Sequence, residues 1–447
     1  MRFGLRDGGV DDLPWRYGNR MKWRAGFRPM GRAATASILS LAMALGVTAC
    51  SNDYTVSYVY MVTSKTTPEG LINGYQVDYQ SGLLRPLADS PISTGGRDTV
   101  GIVVAPNDLF LYTVNNFDSD VVEFGIGTDG KLYPWNTYNT TGSLPTAAAI
   151  DAAGKFLYVT FTYQNSTSGG QLYTPANPGP GGLSIFPVNA DNTLGTPTTV
   201  NLGRNPVEIA TSLLQVPKGT SGCAPTSSGA YCTEVFVIEQ DSATSANLLG
   251  FLEDPATGLL TPLPGVTINT GNVPSTGFAS GMSPSGLLVD KTGTHLYVTD
   301  DVQNQVASYS IGSNGVPAPI AGGTATTDSG PMGMALDLSG KYLYVVAYNA
   351  NTIDGFTVGA SGQPVRSTVA GTVAAGTGPT CVTISGAPSD ANPSHGEYLY
   401  TSNALSNSVS GEQLNPADGS LDQIPGSPFS GSGLATCIVT VPALPLR

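Results

Sequence analysis

A chain of 447 residues has room for two or three average domains or for one large all-β domain. Charged residues make up only 11% of it against 40% hydrophobic, so the polar surface must come from Ser, Thr, Asn, Gln and Gly. That balance argues against long helices, which carry Lys, Glu and Arg on their wet faces; the 56 Gly and 33 Pro favour many short strands joined by tight turns.

The first fifty residues stand apart. Lys22, Arg24, Arg28 and Arg32 precede an apolar run over 33–47, too short to span a bilayer comfortably, which reads as a signal peptide. The run ends in Leu45-Gly46-Val47-Thr48-Ala49-Cys50, which resembles a bacterial lipobox. The expectation is a signal peptide over 1–49, lipidation at Cys50, a tether over 50–56 and a folded domain over 57–447. Translation would begin at Met1, Met21 or Met30, and the alternative is an uncleaved anchor. Ser51 after the cysteine points to the cell envelope, on the outer membrane where a cell has two. Without 1–49 the chain keeps 11 basic and 29 acidic residues, a net charge of −18. Nucleic acid and anionic lipid both need a basic footprint and are disfavoured, so the membrane is met only through the N-terminal lipid. A monomer is expected.

With Cys50 assigned to lipidation, Cys223, Cys232, Cys381 and Cys437 remain, an even number that suggests two disulfides in an exported chain. Cys223 and Cys232 would staple a local loop, and Cys381 would pair with Cys437. No CxxC pair occurs and the two histidines lie far apart, which argues against zinc; no motif calls for a metal or any other cofactor.

In chain order, an aromatic strand core recurs seven times, centred on Tyr60, Tyr112, Tyr158, Phe236, Tyr297, Tyr344 and Tyr400. The spacings are 52, 46, 78, 61, 47 and 56 residues, and the shortest suit a four-stranded propeller blade. Each unit repeats one plan. An apolar strand leads through a turn such as Asp151-Ala152-Ala153-Gly154 or Asp337-Leu338-Ser339-Gly340 into the aromatic strand. An Asn- and Asp-rich loop and an alternating third strand follow, then a turn such as Asp254-Pro255-Ala256-Thr257-Gly258 or Asn415-Pro416-Ala417-Asp418-Gly419. This predicts an all-β fold, a seven-bladed β-propeller with roughly 28 strands. The last apolar strand, 435–441, matches the first strand that the unit near Ser57 lacks, so the C-terminal strand should close the ring.

The phrase Asp337-Leu338-Ser339-Gly340-Lys341-Tyr342-Leu343-Tyr344-Val345 after an apolar strand, with Gly-x-x-Pro opening other such strands as in Gly376-Thr377-Gly378-Pro379, resembles the repeat of the lactonase propeller family. The turn at Asp254 and Gly426-Ser427-Pro428 are similar to it too, over about residues 55–445. That family includes propeller-type 6-phosphogluconolactonases and carboxy-muconate lactonizing enzymes; the same turns occur in surface-layer and YVTN-type propellers without known enzymatic activity. The resemblance implies either a hydrolase of a small sugar-acid lactone or a non-catalytic envelope propeller recognising a protein or glycan.

Aligning the inner strands puts Gly101, Ala147, Glu208, Gly286, Gly333, Cys381 and Cys437 in one ring, whose small residues suit a crowded axis. Glu208 is its only charge; it would face the channel and activate water, or else be satisfied between blades. Arg97 and Arg204 precede inner strands at matching positions and would hold a carboxylate or carbonyl group at the channel mouth, or each would pair with a nearby loop Asp. Asp98, Asn115, Asn116, Asp300, Asp301, Asn349 and Asn403 are expected on the same face as ligand-binding side chains. The family uses channel His, Arg and Glu residues, and only the Arg and Glu types are matched here. His295 fills a slot held elsewhere by Phe110, Phe156, Tyr342 and Tyr398, and His395 lies in a turn on the opposite face, so neither is placed to act as a base.

Overall fold

Each aromatic strand core forms the second strand of a four-stranded antiparallel sheet, and seven such sheets form a β-propeller. The computed structural model describes residues 55–64, 69–164, 180–215, 231–242, 244–269, 273–385 and 397–443, with the backbone alone at 213–215 and 231–232. Blade 1 is assembled from both chain ends, with Leu434–Pro442 innermost, then Thr55–Ser64, Leu71–Asp78 and Leu84–Pro86. The other blades are consecutive. Their inner strands are Thr99–Val104, Gly142–Ile150, Asn205–Gln215, Pro284–Val289, Pro331–Leu336 and Pro379–Ser385 for blades 2 to 7. Successive inner strands contact one another around the whole ring. The closing strand pairs with Thr55–Ser64 from Ser57↔Pro442 to Ser64↔Leu434, so the ring is sealed as its unpaired first unit required.

Two kinds of local chemistry recur in several of the blades. In the turn before the second strand an aspartate caps the backbone: Asp337 Oδ1 accepts from the N–H groups of Lys341 and Tyr342 at 2.7 and 2.8 Å, and Asp151 Oδ1 does the same for Lys155 and Phe156. In the turn closing the third strand, a glycine at positive φ lies under an aromatic ring of the preceding blade. Gly82 (φ +68°) lies against Tyr398 and Gly419 (φ +76°) against Tyr342, where an added Cβ would sit 2.3 Å from a ring carbon in each case. The same glycines accept hydrogen bonds from the central tyrosines, Tyr400 Oη to Gly82 O at 2.6 Å and Tyr344 Oη to Gly419 O at 2.8 Å. Glycine is required twice over, by φ and by the ring above it.

The core lies between blades. Seven apolar clusters occupy the seven blade interfaces, each drawn from two neighbouring sheets. Side chains such as Val59, Leu157, Leu343 and Leu399 are fully buried there, each contributing about 1.5–3 kcal/mol of apolar burial.

The outermost strands depart from the expected four per blade. In blades 1, 4, 6 and 7 that strand is split into two short segments, giving 32 strand segments among the described residues. In blades 1 and 7 the break contains Pro91 and Pro428, which have no N–H to donate. The serine before each proline accepts a strand N–H through its hydroxyl oxygen: Gly74 N–H donates to Ser90 Oγ at 2.7 Å and Gly411 N–H to Ser427 Oγ at 2.9 Å.

Candidate functional site

The inner strands share one irregularity that shapes the channel. A β-bulge interrupts six of them just after the entering turn, between Thr99/Gly101, Pro206/Glu208, Pro284/Gly286, Pro331/Met334, Pro379/Cys381, and Ala435/Cys437 opposite Val62/Thr63. In blade 3 the matching shift lies opposite Val159/Phe161. The bulge turns one hydroxyl toward the next blade. Thr146 Oγ1 donates to Pro206 O at 2.9 Å, Ser285 Oγ to Pro331 O at 2.5 Å, and Thr436 Oγ1 to Thr99 O at 2.8 Å. Immediately after the bulge come Gly101, Glu208, Gly286, Cys381 and Cys437, as the sequence alignment had them. Crowding explains the glycines of blades 5 and 6, where an added Cβ would meet Met332 O at 2.6 Å or Thr380 O at 2.9 Å. It does not explain Gly101, whose nearest neighbour would be Val114 at an ordinary 3.8 Å.

Between these strands lies a cavity of about 530 Å³, within the range of small-molecule sites. Val100, Leu287, Met332, Met334, Val382 and Leu434 form its apolar wall, and Tyr348 and Ala404 reach it from the loops between second and third strands. Cys381 and Cys437 line it as a disulfide with Cα atoms 5.0 Å apart, joining the inner strand of blade 7 to the closing strand. Glu208 is the one charged side chain among the described lining residues. Desolvation by the surrounding walls pushes its carboxyl up to about 7, against a single opposing hydrogen bond from the Ile209 N–H at 3.0 Å. Such a carboxylate is a proton acceptor matched to neutral pH.

The two arginines do not line this cavity. Arg97 is held by Asp118: its Nε donates at 2.8 Å, a second guanidinium nitrogen donates to the same oxygen, and its backbone N–H donates to the other oxygen at 2.7 Å. The guanidinium also stacks on the exposed Phe117 ring, 4.2 Å from its centroid. This is the loop-aspartate pairing rather than a waiting clamp. Arg204 acts on Glu239 and Asp241 of its own blade, opposing the rise that burial causes in both, and its buried Nε has no partner.

Three of the expected ligand-binding side chains are internal. Asn115, Asp300 and Asn403 each end a second strand and are buried. Asn115 accepts from Thr99 Oγ1 at 2.7 Å and donates to Asp120 at 2.8 Å; Asn403 donates to Ser408 and Ser410. Asp300 caps the N–H groups of Met282, Ser283, Val302 and Gln303. Asn116 donates to Pro145 O of the next blade at 2.7 Å, and Asp98 (φ +56°) accepts from Ser64. Asp301 and Asn349 are exposed on the loop tips. His295 is a framework side chain, packed over Gly362 and bonded through Nδ1 to Asp290 at 2.9 Å. Cys50, Cys223, the side chain of Cys232 and His395 lie outside the described residues. Sequence reasoning missed Met332, Met334, Tyr348 and Leu434 as site residues; their signal is position alone, beside the ring residue, first in a loop or first in the closing strand.

The family described as lactonase, 7-bladed beta-propeller, matches residues 266–387, which run from the outer part of blade 4 into the inner strand of blade 7. No curated protein matches the chain. Among solved structures, the periplasmic gluconolactonase of Pseudomonas aeruginosa is 18% identical with a TM-score of 0.60, covering 87% of this chain and 99% of that one. A candidate 6-phosphogluconolactonase of Bacteroides fragilis is 17% identical with a TM-score of 0.62, covering 88% and 99%. Another from Bacteroides uniformis is 19% identical, also at 0.62, covering 87% and 100%. These likenesses carry the fold.

Proposed function

We propose that this chain, a seven-bladed propeller of the lactonase type, hydrolyses a small lactone in its central channel with Glu208 as the base. The observation that carries the reading is a carboxyl raised to about 7 by burial in the wall of a ligand-sized cavity. The ionised carboxylate takes a proton from water as the water oxygen adds to the acyl carbon. The tetrahedral intermediate then expels the ring oxygen, which recovers that proton from Glu208, leaving an open hydroxy acid. General-base catalysis of this kind contributes roughly 100- to 10,000-fold in rate. The test is lactone hydrolysis followed by pH-stat. Turnover should rise with pH through about 7 and fall by that factor in Glu208→Gln. Retention of full activity in Glu208→Gln would sink the assignment.

The engagement of Arg97 by Asp118 supports a second reading, a propeller that binds a protein or glycan on the same face without chemistry. Binding without hydrolysis of any lactone would favour it. We also propose that the propeller is anchored at the cell envelope through a lipid on Cys50; a palmitate analogue should label the wild type and not Cys50→Ser.

A further inference from the structure

The wall of the cavity says more about the ligand than the base does. Its apolar side chains come from five blades, with Val100, Leu287, Met332, Met334, Val382 and Leu434 converging on one space. The mouth continues that character, with Tyr348 and Ala404 at its edge and Leu405 and Leu434 exposed by 60% and 46%. The serine and threonine hydroxyls of the lining are already engaged by the fold. Ser285 donates to Pro331 O, Thr436 to Thr99 O, and Thr380 bonds to Ser402 at 2.9 Å. Among the described residues no Lys, Arg or His lines the space.

A polyol lactone would bury hydroxyls against methionine and valine with few partners, and an unpaired buried hydroxyl is costly. A phosphorylated or carboxylated lactone would bring its anion beside Glu208 with no cation to receive it. A hydrocarbon chain meets neither penalty, and methionine adapts to its shape. Resting on the hydrolase reading above, we propose that the cavity takes an uncharged lactone bearing a hydrocarbon substituent, its ring at Glu208 and its chain against Met332, Met334 and Leu434.

The experiment has two arms on the purified protein. In the first, pH-stat hydrolysis compares γ-lactones carrying propyl, pentyl and heptyl chains with glucono-δ-lactone and its 6-phosphate. The kcat/KM should rise about fourfold per added methylene, with the sugar lactones far below the heptyl compound. In the second, calorimetric titration with 2-propyl-, 2-pentyl- and 2-heptylcyclopentanone, which cannot be hydrolysed, should give a Kd falling by a similar factor. Met334→Gln or Met332→Gln, whichever keeps the wild-type melting temperature, should weaken the heptyl ketone about tenfold. Ketone binding with that slope but no lactone turnover leaves the cavity proposal standing and overturns the hydrolase reading. Fastest turnover of glucono-δ-lactone, with a flat chain-length series, does the reverse. Neither binding nor turnover overturns both.

Discussion

Blades 4 and 7 obey the same plan and differ at the same three positions. In blade 7 the ring position is Cys381, bonded to Cys437; the aromatic slot is Tyr398, lying on Gly82; and the central aromatic is Tyr400, whose hydroxyl bonds Gly82 O. In blade 4 the ring position is Glu208, the slot holds Glu234 against Gly315, and Phe236 stands where the hydroxyl would be. Blade 4 carries four carboxyls that burial pushes to about 7 or 8, namely Glu208, Glu234, Glu239 and Glu253, where blade 7 has Glu412. Aromatic-on-glycine contacts weld blade 7 to blade 1, while blade 4 gives up part of that weld and holds proton-binding groups instead. A departure from the repeat therefore marks where a blade serves something other than the ring.

The largest expected effect separates the two ring residues. Glu208→Gln should lower lactone turnover roughly 100- to 10,000-fold while leaving the unfolding midpoint close to wild type. The Cys381→Ser/Cys437→Ser pair should do the opposite. Opening a bond that spans 56 residues costs about 4 kcal/mol at most by chain entropy, readable by denaturant titration. If the double serine variant lost activity at unchanged stability, the division between catalytic and closing blades would be wrong.

The glycine turns sharpen the comparison at smaller scale. Gly82→Ala must displace the packed ring of Tyr398 and strain a φ of +68°, and should destabilise by about 2–4 kcal/mol. Gly315→Ala, at φ +80°, meets Glu234 Oε1, the movable end of a side chain, and should cost about 1–2 kcal/mol. Equal losses in the two variants would mean that the aromatic slot contributes nothing beyond backbone strain.

The remaining comparison is in pH. Carboxyls raised in the fold from an ordinary 4.5 to about 7 or 8 bind protons more tightly folded than unfolded. Their stabilisation is complete below about 4.5 and is lost as pH rises through 7 to 8. The melting temperature should fall by several degrees between roughly pH 5 and 8.5. Glu234→Gln should flatten that fall more than Glu412→Gln, which scanning calorimetry across the pH range can check.

Much of this architecture is local and could be read directly. Aromatic strand cores, Asp-capped turns and turn glycines act within a few residues of themselves, so their recurrence predicts seven units, ring closure and the ring that holds Glu208, Cys381 and Cys437. His295 could be assigned to the framework because its slot is defined by Tyr342 and Tyr398 in other units. What the sequence could not decide is which polar groups the fold consumes. Asn115, Asp300 and Asn403 read as exposed loop ligands, yet each sits at a strand end where backbone and side-chain partners from its own blade enclose it. Arg97 reads either as a clamp or as the partner of a loop aspartate, and the folded loop decides for the second by bringing Asp118 to its guanidinium. The apolar wall of Met332, Met334, Val382 and Leu434 belongs to three blades and has no pattern along the chain. Periodicity and turn chemistry are short-range properties of the chain; the lining of a central channel is set by side chains from separate blades, and tertiary packing alone brings them together.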